Sequence, residues 1–223
     1  MTDSDYASQT SSSAATSLPS ASEPPAKRAH RSLRWRPVDI AVASVIGVAS
    51  SLVFWAGDFI PHAGLQALFP GLGSLVDGIW LFAGPLAAVI IRKPGAAIYA
   101  QVLASLCESL LGNIYGGALT VLSGFIQGLG AEIVFALFAY RAWNVWTTML
   151  AGAVSGLFYR TMSFLTALQA FSALGWYAAS YYIATTISGI VLAGAVVWRL
   201  YLSIARTGVL DRFESGRVVR ARN

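Results

Sequence analysis

The fold class this sequence predicts is an all-α integral membrane protein, six transmembrane helices in a compact bundle with N- and C-termini cytoplasmic. Three observations predict it. Of 223 residues, 56% are hydrophobic and only 11% charged, where a soluble domain carries roughly 25% charged residues. Several apolar runs reach the roughly 20 residues a helix needs to cross a bilayer. The cations lie between or beyond those runs: Lys27, Arg28, Arg31, Arg34 and Arg36 before the first, Arg92 and Lys93 between two others, Arg141 after another, and six arginines from Arg199 to Arg222 at the end. That is the positive-inside pattern that orients helices. It makes anionic lipid headgroups, rather than DNA or RNA, the partner of the net charge of +5.

Residues 1–33 are rich in Ser, Ala, Thr and Pro. They cannot bury enough apolar surface to offset the entropy of ordering, so a disordered cytoplasmic tail is expected. No secretory signal is visible in them. The membrane domain is expected over 34–203, and 204–223 reads as a basic cytoplasmic tail.

The first span, about Val38–Trp55, follows Arg34-Trp35-Arg36, with Pro37 in the first turn where a missing N–H costs nothing. Ala43, Gly47 and Ser51 recur four apart, a small-residue face for either internal packing or docking onto a partner subunit. An outer loop with apolar residues follows, either a lid over a site or a short interfacial helix. The second span is about Ser74–Ile91, closed by the turn Arg92-Lys93-Pro94-Gly95. Asp77 and Trp80 share a face near its outer end; Asp77 also suits a helix start.

The third span, Ala96–Leu111, carries Gln101 and Glu108 two turns apart on one face. Asn113 and Tyr115 follow in a glycine-rich turn. The fourth, about Ala118–Tyr140, holds Gly124 and Gly128 as a close-approach face, with Gln127 near mid-membrane and Glu132 deeper. Either polar group could face a ligand or bond between helices. The fifth, from Val145 to about Phe164, carries Arg160, expected chiefly to snorkel to the outer interface, or else to pair with Asp58, Asp77 or Glu108. An outer connection over about Thr166–Gly175 leads to Trp176, Tyr177, Tyr181 and Tyr182, which open the sixth span as interface aromatics or as stacking surfaces for a planar ligand.

A buried carboxylate in a membrane costs about 2.5–3.5 kcal/mol on insertion scales and so faces a cavity or a partner. Asp58, Asp77 and Glu108 gather toward the outer face. Catalytic and nucleotide motifs are missing: no Walker loop, no H-E-x-x-H, no Gly-x-Ser-x-Gly. With one cysteine and two histidines, neither a disulfide nor a resident metal is expected, nor any cofactor, nor an enzyme. A small polar molecule captured from outside fits the outer acids and aromatics.

Arg34-Trp35-Arg36-Pro37-Val38-Asp39, the turn Asn113-Ile-Tyr115-Gly116-Gly117 and Gln127-Gly-Leu-Gly-Ala-Glu132 together resemble the YkoE family. These are the substrate-capture (S) components of energy-coupling-factor (ECF) transporters, associated with thiamine and its hydroxymethylpyrimidine precursor. The resemblance spans about Arg34–Tyr201. It implies a plasma-membrane protein working with a membrane coupling (T) subunit and two cytoplasmic ATPase subunits, docked through first-helix positions such as Ala43, Gly47 and Ser51.

Chemistry nominates the ligand contacts. A carboxyl group can bond a ring nitrogen and its neighbouring amine together, with an amide beside it; Glu108, Asn113 and Gln127 are the candidates. Trp80, Tyr115, Trp176 and Tyr177 offer aromatic faces, and Asp77 or Glu108 would attract a cationic ring. Two rival readings remain open: a structural membrane subunit whose glycine faces only assemble a complex, and an autonomous secondary transporter of a small polar solute, against which no repeat between halves is evident.

Overall fold

The computed structural model describes residues 33–60, 62–113, 116–166 and 175–221. The tail expected over residues 1–33 therefore lies almost wholly outside the described residues, as do Tyr115 and the connection over 167–174. Every element among the described residues is helical. In chain order they are α1 (Pro37–Gly57), α2 (His62–Leu68), a 3-10 stretch (Leu72–Trp80), α3 (Ala83–Ile91), α4 (Ala96–Leu111), α5 (Gly117–Leu137), α6 (Val145–Thr166), α7 (Trp176–Ser188), a π-helical stretch (Gly189–Val196), α8 (Val197–Arg206) and α9 (Glu214–Arg220). Among the described residues, four continuous helical segments are long and apolar enough to cross a membrane: Pro37–Gly57, Leu72–Ile91, Gly117–Leu137 and Trp176–Arg206. Ala96–Leu111 is apolar but shorter.

The second of these differs from a plain α-helix. Its first half is wound as a 3-10 helix, tighter and with a longer rise per residue, up to Trp80. Gly78 lies so close to α7 that an added Cβ would sit 2.6 Å from the Ser188 carbonyl oxygen. The hydroxyl of Ser188 accepts from the Gly78 N–H at 2.8 Å and donates to the Leu75 carbonyl at 2.6 Å, supplying partners that this winding leaves over. Pro85 falls in the first turn of α3, where no intrahelical donor is missed.

Lipid tails are as apolar as leucine, so helices in a membrane associate through close packing rather than through water exclusion. Here α4 is the central strut. Its alanines Ala97, Ala100 and Ala104 are fully buried. Gly47 of α1 lies against Ala100 and Leu103, where a Cβ would be 3.1 Å from both, and Gly128 of α5 lies 2.8 Å, measured the same way, from the Ile98 Cα. Gly130 turns to α6, against Ser155. Of the two readings of the small-residue face of α1, the packing supports the internal one: Ala43, Gly47 and Ser51 are all buried inside the protein. The outward residues of α1 include Val45, Val48 and Leu52 instead.

The end of the bundle that holds Arg92 is tied together by polar groups. The turn after α3 places Arg92 at φ 58° and Gly95 at φ 85°, the second a conformation in which glycine carries no steric penalty. Asp39 is fully buried, and it receives the Arg36 N–H at 2.7 Å, the Arg36 guanidinium at 2.9 Å and the Lys93 ammonium. Trp35 donates its indole N–H to the Pro94 carbonyl at 2.9 Å. Glu132 accepts from the Gly95 and Ala97 N–H groups at 2.7 and 3.0 Å and from the Tyr140 hydroxyl at 2.7 Å. That satisfies orphan donors at the start of α4. Glu132 thus bonds between helices and does not line a ligand site.

The stretch expected as a basic tail is folded onto the same end. Leu210, Phe213 and Val219 enter the main core. Ser215 donates to the Ile90 carbonyl at 2.7 Å, and Tyr201 donates to the Ser215 carbonyl while accepting from Arg92. The arginines of that segment read as basic from composition, but the apolar residues between them pack into the core.

The tightest helix contact offers a test. A Cβ at Gly152 of α6 would collide with the Gly189 carbonyl. Gly152→Ala is expected to destabilise the protein by about 1–3 kcal/mol, as overpacking does, seen as a lowered unfolding temperature in detergent. Gly64→Ala, where nothing lies within 4 Å of the new Cβ, should not lower that temperature, since alanine suits a helix better than glycine.

Candidate functional site

At the end of the bundle away from Arg92, where α4 and α6 finish and α5 and α7 begin, the helices part around a hollow of about 350 Å³. A cavity of this size is in the range that holds small molecules. Phe54, Trp80, Tyr159 and Tyr181 supply aromatic walls; Ser74, Asp77, Ser105, Glu108, Thr120, Ser123, Gln127 and Arg160 supply polar groups. Gln66, from the connection between α1 and the 3-10 stretch, also lines it. Its side chain accepts from the Gly71 N–H at 2.8 Å, which anchors that connection beside the hollow.

One side of the hollow is an ion-pair network. Arg160 is only 5% exposed. Its guanidinium bonds Asp77, the Ser74 hydroxyl at 2.8 Å and the Thr185 hydroxyl at 2.9 Å. Thr185 donates in turn to Asp77 at 2.6 Å. The guanidinium carbon lies 5.2 Å from the ring centres of both Tyr159 and Tyr181, within cation–π range. The network joins the 3-10 stretch, α6 and α7. Snorkelling to the outer interface is therefore corrected: Arg160 is held inward by Asp77. Asp77 lines the hollow as expected, but its charge is matched within the protein.

Glu108 of α4 also lines the hollow and is 2% exposed. It faces the Trp80 indole and the Asn113 amide, and among the described residues no cation forms a salt bridge with it. Asn113 is not in the lining. It donates to the Thr120 hydroxyl and accepts from the Gly116 N–H at 3.2 Å, so it shapes the α4–α5 turn and supports Glu108 from behind. Gln127 lines the hollow, bonded to Gln101 at 2.7 Å and Ser123 at 2.8 Å.

Of the other expected contacts, Tyr115 lies outside the described residues. Trp176 is corrected: 65% of it is exposed, and its ring meets Phe69 at 5.7 Å rather than the hollow. Tyr177 also stands outside the lining, its hydroxyl 2.8 Å from that of Tyr181, which takes the place expected for it one turn deeper. Sequence reasoning missed Phe54, Tyr159 and Gly57. A Cβ on Gly57 would lie 2.7 Å from the Trp80 ring, so the absence of a side chain there is what lets the indole take its position. Phe54 and Tyr159 carry no charge, and nothing in a single sequence separates them from core aromatics.

With this geometry established, comparisons with known proteins agree on its class. The family model described as "ABC-type cobalt transport system, permease component" matches residues 38–158. A crystal structure of an S-component of an ECF transporter is 31% identical, with a TM-score of 0.78, covering 85% of this chain and 95% of that one. Bundle and hollow therefore define a permease component of the S-component fold. A protein of Bacillus subtilis (strain 168) named as the HMP/thiamine permease protein YkoE is 33% identical over 192 residues, 83% of this chain and 92% of that protein. The chain belongs to the YkoE family, and it is a multi-pass protein of the plasma membrane.

Removing one member of a buried ion pair leaves the other uncompensated, at a cost of about 3–5 kcal/mol. Arg160→Met is expected to lower unfolding stability by that order, and Asp77→Asn in the same background to recover part of it. A double-mutant cycle on thermal unfolding reads the coupling; additive losses would show that the two side chains act independently.

Proposed function

We propose that this chain is the substrate-capture component of an ECF-type ABC importer. It takes thiamine or its hydroxymethylpyrimidine precursor from outside and delivers it to a membrane coupling subunit driven by two cytoplasmic ATPases. The observation that carries this reading is the hollow itself, with Glu108 beside the Trp80 ring on one wall and donors of α5 next to it. A planar aminopyrimidine needs an aromatic face and a carboxyl group that can meet a ring nitrogen and the adjacent amine. A thiazolium adds a positive charge, which Glu108 favours.

The relative's name and the S-component structure support the same reading. The cobalt in the matched family description suits the donor set less well. Glu108 and Asp77 line the hollow among hydroxyls and amides, Asp77 is held by Arg160, and among the described residues no three His, Cys, Asp or Glu side chains are grouped as ligands. In the membrane, α1, the 3-10 stretch with α3, α4, α5, α6, and α7 through α8 make six crossings. Both termini then lie in the cytoplasm with the Arg92–Lys93 turn, and the hollow opens outward. ATP hydrolysis belongs to the partner subunits, and the chain is no enzyme.

Titration calorimetry of the purified chain with thiamine and with hydroxymethylpyrimidine is the direct test, with saturable binding at or below micromolar ligand expected. Glu108→Gln should weaken thiamine binding at least about tenfold, the loss of one charge-assisted hydrogen bond, without preventing membrane insertion. Unchanged affinity would take Glu108 out of the site.

A further inference from the structure

The two ends of a glutamine amide look alike, so its orientation has to come from its partners. At Gln101 two backbone groups decide it. The side chain is fully buried. The Gly84 N–H, an orphan donor at the start of α3, reaches Gln101 Oε1 at 2.8 Å and can bond only an acceptor. The Trp80 carbonyl meets Gln101 Nε2 and can bond only a donor. Gln101 therefore has one orientation.

Gln127 inherits it. The second hydrogen of Gln101 Nε2 goes to Gln127 Oε1 at 2.7 Å, so Gln127 Nε2 must point the other way, to Ser123 Oγ at 2.8 Å. Ser123 accepts that bond and keeps its own hydroxyl hydrogen; Gln127 keeps a second amide hydrogen. Both residues line the hollow, and Gln101 does not. On the neighbouring helix α4, Glu108 lines it as an acceptor, whereas Asp77 is matched by Arg160.

We propose that Gln101 is a specificity-determining positioning residue, which fixes the Gln127 amide so that Gln127 and Ser123 of α5 donate hydrogen bonds into the hollow while Glu108 of α4 accepts them. The ligand class this selects is a flat heteroaromatic with an unprotonated ring nitrogen on one edge and an amine or cationic group on another. Resting on the function proposed above, the inference assigns the edges: the amine side to Glu108, and the ring nitrogen remote from the amine to Ser123 and Gln127. A ligand without that nitrogen leaves buried donors unpaired, the costly half of a broken hydrogen bond.

The test compares thiamine with its analogue in which the remote pyrimidine nitrogen is replaced by C–H, titrated calorimetrically into the full-length protein in detergent. The unaltered protein is expected to bind the analogue roughly ten- to a hundredfold more weakly. Gln101→Met frees the Gln127 amide to turn over, and should shrink the difference to less than about threefold with thiamine still bound. Gln127→Glu retains an acceptor for Gln101 but reverses the Ser123 bond, and should abolish the preference as well, so the inference stays testable if the methionine variant does not fold. Equal binding of both ligands by the unaltered protein, or full discrimination retained by a folded variant, overturns the inference and leaves the function standing. Binding of neither ligand by the unaltered protein overturns both.

Discussion

Close approach of α4 to α1 and α5 is the constraint from which the rest of this structure follows. Without water to drive them together, these helices associate only where side chains are small enough for backbones to meet. Ala100 on α4 is met by Gly47 of α1, Ala97 by Gly128 of α5, and Ser105 by Gly124 of α5. Once that seam is set, the polar residues of α4 have nowhere to go but the space between helices. Gln101 meets α5 and the 3-10 stretch, and Glu108 reaches the hollow.

The bundle then treats its two ends differently. Around the Arg92–Gly95 turn, Asp39 is matched by Lys93 and Arg36, Glu132 by two backbone N–H groups and Tyr140, and the Ile90 carbonyl by Ser215. Buried polar networks satisfied in this way rigidify the elements they join. At the other end the helices diverge, and partners are found around a space instead of across a seam. The proposed capture role needs both: a firm end that holds the helices together and a hollow end that admits cargo.

The sequence made the membrane elements legible because hydrophobic run length and arginine placement act locally. It made Glu108 and Gln127 legible for a similar reason, since a carboxylate or amide in an apolar run must be accounted for. Arg160 shows where that logic stops. Its depth in the membrane could be read, but its partner Asp77 is 83 residues away in the chain, and pairing and snorkelling are equally consistent with depth alone. Trp176 and Tyr177 fail for the opposite reason, because an aromatic pair at a helix entrance satisfies interface and ligand readings alike. The small-residue face of α1 was visible as a face, yet spacing does not say which helix it meets.

By itself, then, the sequence determined that the chain crosses the membrane repeatedly, where its long apolar helices begin and end to within a few residues, and which polar groups the bilayer would not tolerate alone. Only the tertiary structure decided which of those groups answer one another and which look into a void. It set Arg160 on Asp77, Glu132 on the start of α4, and Tyr181 in the place expected for Tyr177. The physical reason is that insertion depends on each segment's own transfer energy, whereas a pocket is what remains when distant surfaces fail to meet.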